Sequence, residues 1–158
     1  MQREVWTDAD FENMSWHDNH VHGVRFVEGD NGEGELVLDI DHILEWLKSE
    51  DGEFLFRVQP AVLVFHGVMF PRMSIDYATA TAAFGPFMID GIKRRVENRE
   101  RCQAQIWKLP ISWPGGEIEF EARGFTQRAQ GQPSVSRKQL LTPAQRGGLP
   151  NKTIEPTR

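Results

Sequence analysis

Residues 116–125, GEIEFEARGF, alternate without a break. Ile118, Phe120 and Ala122 fall on one side of an extended chain, and Glu117, Glu119 and Glu121 on the other. A period of two with one apolar and one charged side is the mark of an antiparallel strand that packs on a core and faces water. AQIWKLPI (104–111) lies just ahead across SWPGG and completes a hairpin. The same grammar recurs upstream. HVHGVRFVE (20–28) and ELVLDID (35–41) flank GDNGEG, whose Asn31-Gly32 pair is a strong hairpin signal. FLFRV (54–58) and AVLVFHGV (61–68) flank Gln59-Pro60, where proline argues for an edge, a bulge or a bend. RMSIDY (72–77) is a further alternating run.

Runs recurring at intervals of roughly ten residues predict a mainly β domain, an antiparallel β-sandwich or open barrel of about seven to nine strands. One or two short helices are expected beside them. The apolar residues of 1–16 fix no period, so a short helix or an irregular docking segment fits there. Ile43, Leu44, Trp46 and Leu47 suit one helical turn or a bent strand end. Residues 78–87 read as a loop or short helix. Residues 88–102 read either as a helix, through Ile89, Ile92 and Val96, or as a strand followed by a charged turn. Residues 1–130 form a single β-rich domain. Residues 131–158 are a Pro/Gly-rich basic tail whose first part docks and whose last ten residues are mobile.

The 158 residues are 39% hydrophobic and 26% charged, an ordinary globular composition. Cys102 stands alone, so neither an internal disulfide nor a Cys-based zinc site forms, and a reducing compartment fits. A lone cysteine reads as a small core residue, although Arg99 and Arg101 precede it. No apolar leader opens the chain and no run nears the roughly 18 residues of a membrane span, so a cytoplasmic placement is expected. Residues 1–122 carry 11 Lys/Arg against 22 Asp/Glu, and residues 123–158 carry 7 against one. A basic tail on an acidic body binds nucleic acid or lies back on that body. The scattered basic residues, with Phe125 the one aromatic among them, argue against nucleic acid. The glutamate stripe suits solubility or pairing with basic groups, the tail among them.

Three of the five histidines fall in SWHDNHVHG (15–23). His20 and His22 share a strand face. A two-residue loop at Asn31-Gly32 sets His22 opposite Asp41 and groups His20, His22, Asp39 and Asp41, but it spoils the apolar face. A five-residue loop, Asp30 to Gly34, pairs Val24 with Ile40, Phe26 with Leu38 and Arg25 with Asp39. That register satisfies both faces and is favoured. It gathers His20, His22 and His42 at a sheet end with both aspartates on the reverse. Three histidines there are candidate ligands for a divalent metal, zinc or iron; the plainer reading is that they cap the core. Ser15, His17 and Asp18 lie too close along an extended segment to converge as a triad. His20-x-His22 resembles the cupin metal motif, but the glutamate that should follow is missing, and the match is rejected. No phosphate loop, dinucleotide fingerprint or His-Glu-x-x-His occurs. Together these features favour a non-catalytic binding or interaction module, with a protein partner or a second copy of the chain as its contact. A metal-binding protein is the alternative.

SWHDNHVHGVRF, GELVLDIDHILEW, FRVQPAVLVFHGV and GGEIEFEARGFTQ together resemble a family of small bacterial proteins of unknown function. Trp-His-Asp, Leu-x-Leu-Asp-Ile-Asp and Pro-Ala-x-Leu-x-Phe carry the resemblance, over roughly residues 11 to 145. It implies no activity. Similar small proteins serve as immunity or accessory proteins, an analogy of size and not of site.

Overall fold

The alternating runs become strands. The computed structural model describes residues 2–79 and 82–147. Its strands are β1 (Val5–Thr7), β2 (Asn19–Glu28), β3 (Gly34–Lys48), β4 (Phe54–Ile75), β5 (Phe87–Ile89), β6 (Lys93–Asn98), β7 (Gln103–Trp113), β8 (Gly116–Glu121), β9 (Gly124–Ala129) and β10 (Ser134–Ser136). All belong to one antiparallel sheet. Its pairings run β4–β3–β2–β5–β7–β8 and return to β4. β8 and β9 lie in series along one edge of β4, and β5 and β6 in series along β7. The result is an irregular, curled sheet rather than a smooth barrel. Among the described residues the one helix is a short 3-10 segment, Asp8–Asn13. Among the described residues no helix is long and apolar enough to cross a membrane.

β4 runs straight through Gln59-Pro60, where the sequence predicts a disturbance. Pro60 sits opposite Asp41 of β3, and its carbonyl accepts the Gln130 N–H at 2.8 Å. Its missing N–H therefore faces the gap between β9 and β10, where no ladder bond is lost. Further along, Gly67 turns through φ 63° and Phe70 through φ 53°. There the strand passes from β9 to β8.

The concave face holds the core. Leu36, Leu38 and Ile40 of β3, Leu63 and Phe65 of β4, Trp107 and Leu109 of β7, and Ile118 and Phe120 of β8 are buried there. The alternation of β8 is realised, since its three glutamates point outward. Among the described residues they meet basic residues of the body: Glu117 pairs with Lys108, Glu119 with Arg72 and Arg95, and Glu121 with Arg99.

The β2–β3 hairpin departs from both expected registers. Gly29–Glu33 forms the loop, and Val24 pairs with Leu38, Arg25 with Val37 and Phe26 with Leu36. The side-chain parity of the favoured register survives, so Val24, Phe26, Leu36, Leu38 and Ile40 still share a face. A bulge between Val21 and Gly23 then shifts the pairing to Val21 with Ile40 and His20 with Asp41. A bulge inserts one residue and re-aims the side chains beyond it.

Residues 43–48 stay in β3, and 88–102 hold strands, not a helix. Cys102 is exposed in the β6–β7 turn, which corrects its reading as a core residue. The start of the tail lies on the sheet. β10 pairs with β4, and Leu141 packs with Ile43, Phe56 and Val58 on the convex side. Residues 148–158, with the expected mobile end, lie outside the described residues.

Candidate functional site

The bulge in β2 decides what the histidines do. His22 points to the convex side of the sheet, where its Nε2 donates to Asp41 Oδ2 at 2.8 Å. Asp41 is 0% exposed and His22 13%. The same carboxylate oxygen accepts the Leu141 N–H at 2.9 Å, and the other oxygen accepts from Arg146. Arg146 also reaches Asp39 and the Ile40 carbonyl. Its side chain is 1% exposed, and its Nε has no partner among the described residues. The guanidinium thus lies between two carboxylates under the docked tail.

A local signal in the tail aims Arg146. Thr142 and Gln145 form a reciprocal capping box: Thr142 Oγ1 accepts the Gln145 N–H at 3.2 Å, and Gln145 Oε1 accepts the Thr142 N–H at 2.9 Å. Pro143 stands at the first helical position, which suits its fixed φ. One turn follows, closed by the Arg146 N–H to the Thr142 carbonyl at 3.0 Å. Gly147, at φ 68°, ends it in the left-handed region that glycine adopts without strain.

His42 lies on the other face. Its Nδ1 accepts from the Asn19 side-chain amide at 3.0 Å, and Trp6 and Trp16 flank its ring. Asn19 also accepts the Ile43 N–H at 3.2 Å. The expected grouping of His20, His22 and His42 at one sheet end, with both aspartates behind it, is therefore not what the fold makes. His22 joins the aspartates, and His42 caps the aromatic core. Among the described residues no group of three or more His, Cys, Asp or Glu side chains is arranged to hold a metal ion. His20, half-buried and directly opposite Asp41 in the ladder, also leaves the expected place, and its Nδ1 has no partner among the described residues. Burial pushes its imidazole below the ordinary value, against the upward pull of Asp41.

Burial pushes His42 further, from 6.5 to about 4. The folded state keeps it neutral while the unfolded chain protonates near 6.5. Its contribution to stability is therefore complete above about pH 6.5 and is lost as pH falls towards 4. Urea denaturation from pH 7 to pH 4 is expected to show this loss, with a shallower pH slope in His42→Gln. An identical slope in the variant would show that other groups set the acid response.

Trp16, His17 and Asp18 lead the chain into β2. Trp16 is buried and donates through Nε1 to Gln127 Oε1 at 2.8 Å. Asp18 takes φ 61° in the turn before β2, a conformation aspartate tolerates. His17 Nδ1 lies 3.1 Å from the Asp90 carbonyl, and its Nε2 faces Asp18 at 3.6 Å. The bond to Asp90 is the main cause that raises the His17 pKa. Both ring nitrogens are thus turned to aspartates, and Ser15 Oγ accepts only the His17 backbone N–H at 3.4 Å. No triad forms.

Beside His22 and Arg146 opens a cavity of about 400 Å³. Phe84, Gly85 and Pro86 wall one side, and Leu140, Leu141 and Pro143 the other. A larger cleft of about 590 Å³ lies over β6, β7 and β8, lined by the exposed Arg72, Arg95, Arg99 and Glu97 and the half-buried Glu119 and Glu121 among others. Its charges pair with one another in solvent, as on a solvated sheet face. The smaller cavity alone joins apolar walls to a buried polar cluster, the usual make-up of a ligand site.

No family model matches the chain, and neither does any curated protein or solved structure.

Proposed function

We propose that the protein is a non-catalytic binding module and that its ligand sits in the cavity between the docked tail and the 84–86 segment, beside His22. The observation that carries this reading is the internally spent charge of the His22–Asp41–Arg146–Asp39 cluster. Both Asp41 oxygens are occupied, and Arg146 already serves two carboxylates. Such a cluster shapes a cavity rather than attacking its contents. Among the described residues, moreover, the cavity lining contains no hydroxyl, thiol or amine nucleophile. A volume of about 400 Å³ suits a small molecule. The apolar walls favour an apolar body. An added anion would gain little from an arginine already shared, so the ligand is neutral or basic. A lone exposed cysteine favours a reducing compartment, the cytoplasm, as its place.

N-phenyl-1-naphthylamine, a neutral apolar dye, tests this. Its fluorescence is expected to rise saturably with the protein. Leu140→Trp, which fills the cavity from the tail side, should weaken binding at least about tenfold, roughly 1.4 kcal/mol. Equal affinity in both proteins, or no saturable binding to the original, overturns the reading.

A further inference from the structure

We propose that a second copy of this chain adds to the free edge of β6, joining two sheets by antiparallel strand pairing about a twofold axis. β6 is hydrogen-bonded to β7 on one side, and no strand of the described residues lies on the other. An unpaired edge is a template for another strand. Five of its six residues are exposed, and Val96, its one apolar residue, is 56% exposed.

The sequence KRRVEN fits itself in one register. A twofold axis perpendicular to the sheet keeps each face on its own side, and directly opposed residues share a face. Each residue must therefore meet a residue of the same parity. With Val96 on the axis, Val96 meets the partner's Val96, Arg95 meets the partner's Glu97, and Glu97 meets the partner's Arg95. Arg94 then meets the partner's Asn98, so no like charges oppose within residues 94–98, and the one like pair of the register, Lys93 with the partner's Arg99, falls at the ends of the pairing. Moving the axis to Arg95 opposes two arginines, and moving it to Glu97 opposes two glutamates. Opposite charges across a strand pair stabilise it, and like charges destabilise it.

The charges are available for this. Arg95 and Glu97 are exposed; they approach each other at 4.0 Å, Arg95 lies 3.9 Å from Glu119, and Glu97 accepts from Arg99 at 3.2 Å, all contacts at the solvent-facing surface that a partner's charges can replace. The inward-facing Arg94 is held separately, over the Phe11 ring and against Glu12. The free edge of β2 beyond Val21 lacks this match, because an axis at Phe26 sets Arg25 against Val27. Charged side chains on an edge ordinarily repel foreign strands. Here the alternating signs that repel others admit the chain's own copy. The paired segment is short, so the dimer is weak and reversible.

Sedimentation equilibrium of the full chain at low salt, from about 1 µM to about 1 mM, is the test. The original protein is expected to pass from monomer to dimer. Arg95→Glu gives an acidic edge and Glu97→Arg a basic one, and each should weaken self-association at least about tenfold. An equimolar mixture of the two variants should form a heterodimer, since the charges opposed at positions 95 and 97 are then matched. That mixture also proves that both variants are folded. A monomer across the whole range overturns the proposal. So does a dimer indifferent to both substitutions, or a mixture that fails to associate.

Discussion

Replacing Arg146 by methionine is expected to lower the unfolding free energy by about 3–5 kcal/mol in urea denaturation. Methionine keeps much of the side-chain volume and removes the charge. Asp41, 0% exposed, then keeps only His22 and the Leu141 N–H as donors. An uncompensated buried carboxylate is costly because little water reaches it. Asp39→Asn is the control. Asp39 is 36% exposed and is solvated without Arg146, so its loss should stay below about 1 kcal/mol. If Arg146→Met costs no more than Asp39→Asn, the tail is held by Leu141 and β10 instead.

Phe65→Ala is expected to cost about 3–5 kcal/mol, read from the same denaturation curves. Phe65 stands in the middle of the concave face. Its ring lies 5.2 Å from Trp107, 4.7 Å from Phe120 and 5.9 Å from Phe125, all in edge-on contact. β4, β7 and the β8–β9 series meet at these rings, so none can move in without disturbing the rest. Alanine leaves a cavity that these neighbours cannot fill. A loss below about 2 kcal/mol would mean that the aromatic cluster rearranges to close it.

The fold class was legible because strand alternation is local chemistry. Glu117 to Ala122 announce their faces without any knowledge of the partner strand. The outward glutamates were legible for the same reason, but their partners were not. Arg72 and Arg95 reach Glu119 from strands distant in sequence, and no local pattern marks them. The site was half legible. SWHDNHVHG marked His22, and one expected register even set it against Asp41. The contact arises from a bulge, however, and that bulge falls where β2 lies between β3 and β5. Such a choice is tertiary. Arg146 was missed although a signal was present. Thr142-Pro143-Ala144-Gln145 reads as a capping box with proline at the first helical position. It was hidden by the loose composition around it. Segment 88–102 deceived for another reason: Ile89, Ile92 and Val96 have helical spacing by coincidence, spread over β5, its connection and β6, which lie in series along β7.

The 22-residue β4 carries a consequence for how the chain folds. One edge meets β3 across the tight Ser49–Glu53 turn, so that contact is local and forms early. The other edge waits for residues 116–136, which arrive after β5, β6 and β7. Contacts of such long sequence separation must overcome loop-closure entropy before they return any stability, which slows folding. Until then a half-formed sheet presents Val62, Val64 and Phe65 beside an open edge. The last stretch to dock, closed by Arg146 over Asp41, also shuts the longest period in which this chain is open to aggregation.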